Sequence, residues 1–177
     1  MTNIVFLFGT LSGLIVTSTL LAAFTLLGAE PAPGSEWLGY LGMIVALSLI
    51  FVGVKRYRDR ELGGVIKFLP AFLMGLAIAA VASVIYVLVW EVYMAATDGA
   101  FFDVYMQAYI DGEKAKGLSG AALDKLIADM EAMKTQYNSS QLFRVAITFT
   151  EIFPVGFVIA LISAALLQFP KILPARA

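Results

Sequence analysis

Four long, nearly uninterrupted apolar runs restrict what this sequence can fold into. A helix that crosses the hydrocarbon layer of a bilayer needs about 20 apolar residues, and a backbone buried in lipid must satisfy its own hydrogen bonds. The runs are continuous rather than alternating, which favours helices over barrel strands. The first run is interpreted as a retained span rather than a cleaved signal peptide, because residues 1–3 carry no basic side chain. The predicted spans cover residues 4–27, 38–54, 68–93 and 142–169.

The composition supports this fold class, an all-α integral membrane protein with a four-helix bundle. Of the 177 residues, 60% are hydrophobic and 14% are charged, whereas soluble domains carry about 25% charged residues. The sequence has no histidine and no cysteine, which excludes imidazole catalysis, thiolate chemistry and the usual zinc, haem and iron-sulfur ligands. The net charge of -1 argues against a nucleic-acid partner. We therefore expect no enzymatic activity, no cofactor and no metal site.

The distribution of basic residues predicts the orientation of the spans. Lysine and arginine accumulate in cytoplasmic loops. The loop between spans one and two contains Glu30 and Glu36 but no basic residue, whereas the loop between spans two and three is basic. Both termini are then cytoplasmic, in agreement with Lys171 and Arg176, and residues 97–141 lie outside. The five basic residues of the second loop are Lys55, Arg56, Arg58, Arg60 and Lys67.

Residues 97–141, between spans three and four, are polar and show helical spacing of their apolar residues. Asp98 is the expected N-cap of a first helix and Gly117 its expected end. A second helix is expected to begin at Ser119. The segment is therefore predicted to form an extracytoplasmic helical hairpin. The apolar faces are Phe101, Tyr105, Ala108 and Tyr109 in the first helix, and Leu123, Leu126, Ile127, Met130, Met133 and Tyr137 in the second.

These apolar faces are too narrow to form a core of their own, so another surface must cover them. The spans of the same chain are the first candidate. The alternatives are the membrane surface, the other helix of the hairpin, a second copy of the chain or another protein.

Three ionisable residues lie within or beside the apolar spans: Glu91, Arg144 and Glu151. Such residues are costly in lipid and usually pair with one another or face a wet cavity. Arg144, Thr148 and Glu151 share one face of a helix, so the guanidinium is expected to meet either acid. Pro154 cannot donate a hydrogen bond to the carbonyl of the residue four positions earlier, which predicts a kink beside Glu151. The candidate site comprises Tyr86, Trp90, Glu91, Tyr93, Arg144, Thr148, Thr150, Glu151 and Pro154.

Three interpretations of this charged cluster are open. In the first, Arg144 forms a structural salt bridge that joins spans three and four. In the second, Glu91 and Glu151 form a proton or cation site of a transporter or channel. In the third, the two carboxylates catalyse hydrolysis within the membrane, although no motif of a known intramembrane protease accompanies them.

Small residues spaced by four indicate faces at which helices approach closely. Packing within the chain is the first interpretation of these faces, and contact with a second copy or a larger complex is the alternative. The faces are Gly9 and Gly13 in span one, Ala71, Gly75, Ala79 and Ser83 in span three, and Gly156, Ala160 and Ala164 in span four.

Three stretches carry a resemblance to a known family. They are residues 51–60 with the Gly63-Gly64 pair that follows, residues 86–93, and residues 143–156 with Glu151-Ile-Phe-Pro-Val-Gly. Together they resemble the bacterial inner-membrane family catalogued as domain of unknown function 4199. The resemblance covers nearly the whole chain and implies a four-span protein of the bacterial cell inner membrane. It implies no activity, substrate or cofactor.

The sequence therefore predicts a non-enzymatic scaffold or accessory subunit of a membrane complex. Its expected partners are the lipid bilayer and either a second copy or a larger complex, reached through the hairpin or the small-residue faces. The alternative is a small transporter or channel element that uses Glu91 and Glu151.

Overall fold

The structure is a computed structural model that describes residues 1–26, 36–170 and 173–174. Predictions that rest on Leu27, Glu30, the side chain of Glu36, Lys171 and Arg176 lie outside the described residues. The described part is helical throughout. Its helices are α1 (Thr2–Leu26), α2 (Glu36–Leu47), α3 (Leu49–Glu61), α4 (Phe68–Ala96), α5 (Ala100–Ala115), α6 (Ala121–Ser139) and α7 (Gln141–Leu167).

Four stretches of these helices are long and apolar enough to cross a membrane. This confirms the predicted all-α membrane fold with four spans, and α5 and α6 lie between spans three and four as expected. The spans are Thr2–Ala22, Trp37–Glu61, Phe68–Ala96 and Gln141–Leu167.

The second span differs from the prediction in two ways. A turn at Ser48 separates α2 from α3, and the Ser48 hydroxyl donates a hydrogen bond to the Val45 carbonyl at 2.6 Å. The helix then continues beyond the predicted end at residue 54 to Glu61. It stops before Gly64, whose φ of 89° suits a glycine and whose N–H donates to the Arg58 carbonyl at 2.9 Å. The basic residues from 55 to 60 are therefore helical rather than part of a loop.

Helix α4 is the centre of the bundle and packs most extensively against α7 and α1. At the α4–α7 contact, a Cβ added to Gly75 would lie 2.8 Å from the Cβ of Ala160, and one added to Gly156 would lie 2.7 Å from the Cβ of Ala79. Distances this short leave no room for a side chain, so the two backbones approach closely. The prediction that the small-residue faces of spans three and four pack within the chain is confirmed.

The small residues of α1 meet α4 in the same way. A Cβ on Gly9 would lie 2.6 Å from the Cβ of Val81, and one on Gly13 would lie 2.7 Å from the Ala82 carbonyl oxygen. The glycines of spans one, three and four are thus used inside the bundle.

The polar segment forms the predicted hairpin of α5 and α6. Gly117 adopts a φ of 96°, and the Leu118 N–H donates to the Glu113 carbonyl at 3.0 Å, a C-terminal cap of α5. The predicted cap at the other end is wrong. Gly99 occupies the N-cap position, and Asp98 lies before it with a φ of 49° and no side-chain cap.

The hairpin buries a different apolar set from the one predicted for its first helix. Phe102 and Ile110 are the buried residues of α5, whereas the predicted face of Phe101, Tyr105 and Tyr109 is half-buried. The phase is shifted because α5 packs on both α6 and the end of α4. In α6, which begins at residue 121 rather than 119, Met130 and Tyr137 are buried, and the predicted stripe residue Met133 is exposed.

Candidate functional site

A salt bridge between Arg144 and Glu91 joins spans three and four at the hairpin end of the bundle, the end at which α4 leads into α5 and α6 into α7. The Nε and Nη2 atoms of Arg144 donate to Oε1 and Oε2 of Glu91 at 2.6 and 2.7 Å. This bidentate geometry matches the planar guanidinium to the carboxylate. Both side chains are about 85% covered, with relative exposures of 15% and 16%. Of the two acids predicted as partners, Arg144 therefore takes Glu91.

Residues around this pair complete its hydrogen bonding. The Nη1 atom of Arg144 donates to the Tyr137 backbone carbonyl at 3.1 Å. Its guanidinium carbon also lies 5.8 Å from the centre of the Tyr137 ring, within the range of a cation–π contact. The Gln141 amide donates to Oε2 of Glu91 at 3.4 Å. The salt bridge therefore includes a residue of α6 as well as the two spans.

The hydroxyl of Tyr137 links the hairpin to both spans. It accepts a hydrogen bond from the Trp90 indole nitrogen on α4 at 2.7 Å, and it is hydrogen-bonded to the Thr148 side chain on α7. Trp90, Tyr137 and Thr148 are each less than 10% exposed. Burial raises the pKa of the Tyr137 hydroxyl, so this group is neutral at physiological pH.

Aromatic rings surround Trp90 on its hairpin side. Phe101 meets the indole edge-on, with ring centres 4.8 Å apart, and Tyr93 lies 5.5 Å away at a tilt. These contacts belong to a second apolar cluster that contains Trp90, Met94, Phe102 and Tyr137. Of the predicted aromatic residues of the site, Trp90 and Tyr93 thus form the packing surface between α4 and the hairpin.

Glu151 lies deeper in α7, seven residues or about 10 Å along the helix from Arg144. It does not join the salt bridge. Its Oε2 atom accepts a hydrogen bond from the Tyr86 hydroxyl at 3.4 Å. Tyr86 is 1% exposed, while Glu151 lies on the exposed surface of the helix.

Two predicted members of the cluster stand apart from it. The Thr150 hydroxyl is exposed and donates to the Ile147 carbonyl of its own helix at 2.9 Å. Pro154 is also exposed, and α7 continues as one helix through it from Gln141 to Leu167. The structure brings together Arg144 with Glu91, Trp90 with Thr148 through Tyr137, and Tyr86 with Glu151.

The prediction from sequence missed two participants. Tyr137 was assigned only to the apolar stripe of the hairpin, and Gln141 was not singled out. Both flank the short link between α6 and α7, within seven residues of Arg144. The sequence signal that could have identified Tyr137 is its position about two helical turns before an arginine at a span boundary.

Another buried arginine lies at the opposite end of the bundle, called here the turn end, which holds the α3–α4 turn at residues 62–67. Arg58 is 0% exposed. Its Nε atom donates to Oδ1 of Asp59 at 2.6 Å, Nη1 donates to the Leu167 carbonyl at 3.4 Å, and Nη2 donates to the Leu173 carbonyl at 2.5 Å. Leu167 ends α7, so Arg58 caps the C-terminus of that helix.

Comparison with known proteins identifies one family. The model of the family described as protein of unknown function (DUF4199) matches residues 7–168, nearly the whole chain. This confirms the resemblance noted in the sequence. No curated protein and no solved structure gives a significant match.

Proposed function

This chain belongs to the DUF4199 family of proteins of unknown function, and from that premise we propose that it is a non-enzymatic scaffold or accessory subunit of a membrane complex. In this proposal the four spans anchor the protein, and the hairpin of α5 and α6 is presented to a partner in a fixed position.

The observation that carries the proposal is that the charged groups at the hairpin end are already engaged with one another. Arg144 donates to both oxygens of Glu91 at 2.6 and 2.7 Å and to the Tyr137 carbonyl at 3.1 Å. A catalytic or transport site needs groups that a substrate can reach. Here Arg144, Glu91 and the Tyr137 carbonyl bind one another and so attach the hairpin to two spans, which is what a scaffold requires.

The orientation in this proposal has the hairpin outside and both termini in the cytoplasm of a bacterial inner-membrane protein. The support is the positive-inside rule. Arg56, Arg60 and Lys67 at the turn end are exposed, so they are available to anionic headgroups. The hairpin carries more acidic than basic residues, seven against four between residues 98 and 138.

The small-residue faces of α1, α4 and α7 are occupied within the bundle, which leaves the hairpin as the docking surface. A shallow groove of about 360 Å³ runs along α5. Exposed Val104 gives it an apolar centre, and Asp103 and Asp111 line it, paired with Lys134 of α6 and with Lys114 respectively. The Gln107 amide donates to Asp111 at 2.8 Å and lowers the pKa of that carboxyl. A partner segment with both apolar and polar side chains fits this groove best.

The alternative function, a transporter or channel element with a site at Glu91 and Glu151, requires both acids to be available. Glu91 is engaged by Arg144 through both of its oxygens. The two acids also lie at different levels of the bundle, because Glu151 is about 10 Å below Arg144 along α7. The geometry therefore favours the scaffold.

The proposal is tested by the size of the native assembly. The tagged chain would be extracted from its own membrane into lipid nanodiscs and measured by native mass spectrometry. We expect a complex larger than the monomer, which Val104→Arg in the groove disrupts and which the matched change Val65→Arg at the turn end leaves intact. Both valines are exposed, at 47% and 57%.

Two results would contradict the proposal. A wild-type chain that is monomeric under these conditions removes the scaffold function. A complex that resists Val104→Arg removes the groove on α5 as its docking surface.

A further inference from the structure

Among the acidic side chains that the structure describes in the four spans, Glu151 is the one without a countercharge. Its Oε2 atom has the Tyr86 hydroxyl at 3.4 Å. Within residues 1–26, 36–170 and 173–174, no lysine or arginine nitrogen lies within 4.0 Å of it. Arg144 is the one basic residue in the sequence of α7, and its guanidinium is engaged by Glu91 and the Tyr137 carbonyl.

The groups that face Glu151 from neighbouring helices add no positive charge. From α4 these are Tyr86 and, nearer the hairpin end, Glu91. On α6, Tyr137 lies close enough to interact electrostatically with Glu151, but its hydroxyl is already hydrogen-bonded to Trp90 and Thr148. Helix α1 has no ionisable side chain, the ionisable residues in the sequence of α2 are Glu36 and Tyr40, and the charged residues of α3 lie at the turn end. Glu151 is therefore surrounded by neutral or acidic groups.

The position of Glu151 makes a lone negative charge expensive. It lies about 15 Å from the start of α7 and about 24 Å from its end, counted at 1.5 Å per residue, so it is well inside a span. Its side chain is on the exposed surface of the helix, which in a bilayer faces lipid. An unpaired carboxylate there loses its hydration, whereas a carboxylic acid carries no charge and still forms hydrogen bonds.

Tyr86 gives this carboxyl a defined position. Its side chain is 1% exposed, so the hydroxyl is fixed by packing between α4 and α7 and is directed at Oε2. The structure thus combines a buried donor, a carboxyl on the lipid-facing surface and the absence of a described basic partner. We propose that Glu151, positioned by Tyr86, is a proton-binding carboxyl open to the lipid phase and carries its proton at neutral pH.

The proposal goes beyond the scaffold function and does not depend on it. It assigns to the chain a ligand, the proton, at a site that the salt bridge between Arg144 and Glu91 does not include. The site is open on the membrane surface of α7 rather than in an internal cavity.

The test uses a hydrophobic carbodiimide, because carbodiimides add to the protonated form of a carboxyl group. Wild-type protein in liposomes at pH 7 would be treated with dicyclohexylcarbodiimide, and the adduct would be located by peptide mass mapping. We expect one adduct at Glu151 and none at Glu91, which is held as a carboxylate by Arg144. A water-soluble carbodiimide is expected to spare Glu151 and to label exposed hairpin acids such as Glu131.

Two variants test whether the adduct forms at Glu151 and whether Tyr86 positions this carboxyl. Glu151→Gln should remove the adduct without creating another. Tyr86→Phe removes the hydroxyl that stabilises the carboxylate, so we expect labelling at pH 8 to be several-fold faster than in the wild type. An unchanged rate would remove Tyr86 from the site.

Three results would overturn the proton assignment. The first is no adduct at Glu151 in the wild-type protein. The second is equal labelling by the two reagents, which would place the carboxyl in water. The third is protection of Glu151 by sodium ions but not by choline, which would assign the site to a metal cation.

Discussion

The two ends of the bundle both hold α7 with an arginine, but the arginines have different partners. At the hairpin end, Arg144 of α7 pairs with Glu91 of α4 at 2.6 and 2.7 Å. At the turn end, Arg58 of α3 reaches the backbone carbonyls of Leu167 and Leu173. One end joins two side chains from different spans, and the other end caps a helix.

The difference lies in what each arginine neutralises. Arg144 is partly exposed and compensates a full carboxylate charge in the same part of the bundle. Arg58 is fully buried, and it compensates Asp59 together with the partial negative charge at the C-terminus of α7.

Of the four described spans, α7 has the smallest buried share. In the most apolar window of each span, 22% of α7 is buried inside the structure, compared with 44% of α4. Gly156 and Ala160 provide close contact with α4 in the middle of the helix. The arginines fix its two ends.

The largest expected effect is at the turn end. Arg58→Met removes the guanidinium that donates to the carbonyls of Leu167 and Leu173 and weakens the compensation of Asp59, so we expect a loss of about 3 kcal/mol in the free energy of unfolding. The measurement is unfolding of the purified protein in mixed micelles. Arg56→Met, at an exposed position two residues away, is the matched control and should change little. Equal losses for the two variants would show that Arg58 acts only through its charge.

The hairpin end should respond less, because its salt bridge is partly exposed. Arg144→Ala is expected to cost about 2 kcal/mol, below the range for fully buried pairs, since it leaves Glu91 unpaired. Lys125→Ala, at an exposed position of α6, is the control, with an expected change below about 0.5 kcal/mol.

A double-mutant cycle with Glu91→Gln separates the pair from its surroundings. If the two residues act together, the second substitution adds little to the first. Additive losses would mean that Arg144 stabilises the bundle mainly through Tyr137.

The smallest of the three effects concerns the hydroxyl that joins the hairpin to the spans. Tyr137→Phe keeps the ring but removes the acceptor for Trp90, so we expect a loss of about 1 kcal/mol. The hairpin should also exchange its amide hydrogens faster, which mass spectrometry detects peptide by peptide. Tyr109→Phe in α5 is the control for removal of a tyrosine hydroxyl from the hairpin. Unchanged exchange in Tyr137→Phe would assign the attachment to Arg144 alone.

The spans and the involvement of Arg144 in a salt bridge were predictable because the bilayer imposes strong requirements on the sequence, long apolar runs and few charges. Apolar runs of span length have few other uses, and Arg144 is conspicuous beside such a run. Which acid it meets was not predictable, since Glu151 shares a face of the same helix and Glu91 lies near the matching end of the preceding span. In the structure the guanidinium also donates to the Tyr137 carbonyl, a contact with α6 that the sequence does not reveal.

The cap by Arg58 could not be predicted for a different reason. Arg58 belongs to a group of five basic residues that already has an explanation as an orientation signal. Nothing in the local sequence distinguishes it from exposed Arg56 and Arg60. Its burial arises from where α7 ends, and that contact joins residues 109 positions apart.

The link between α6 and α7 gives the hairpin a mechanical property. Ser140 is the one residue between α6, which ends at Ser139, and α7, which begins at Gln141. Its hydroxyl accepts a hydrogen bond from the Phe143 N–H at 3.3 Å and so starts the next helix at once. A pulling force on the hairpin therefore reaches span four through a single non-helical residue, with almost no slack to absorb it.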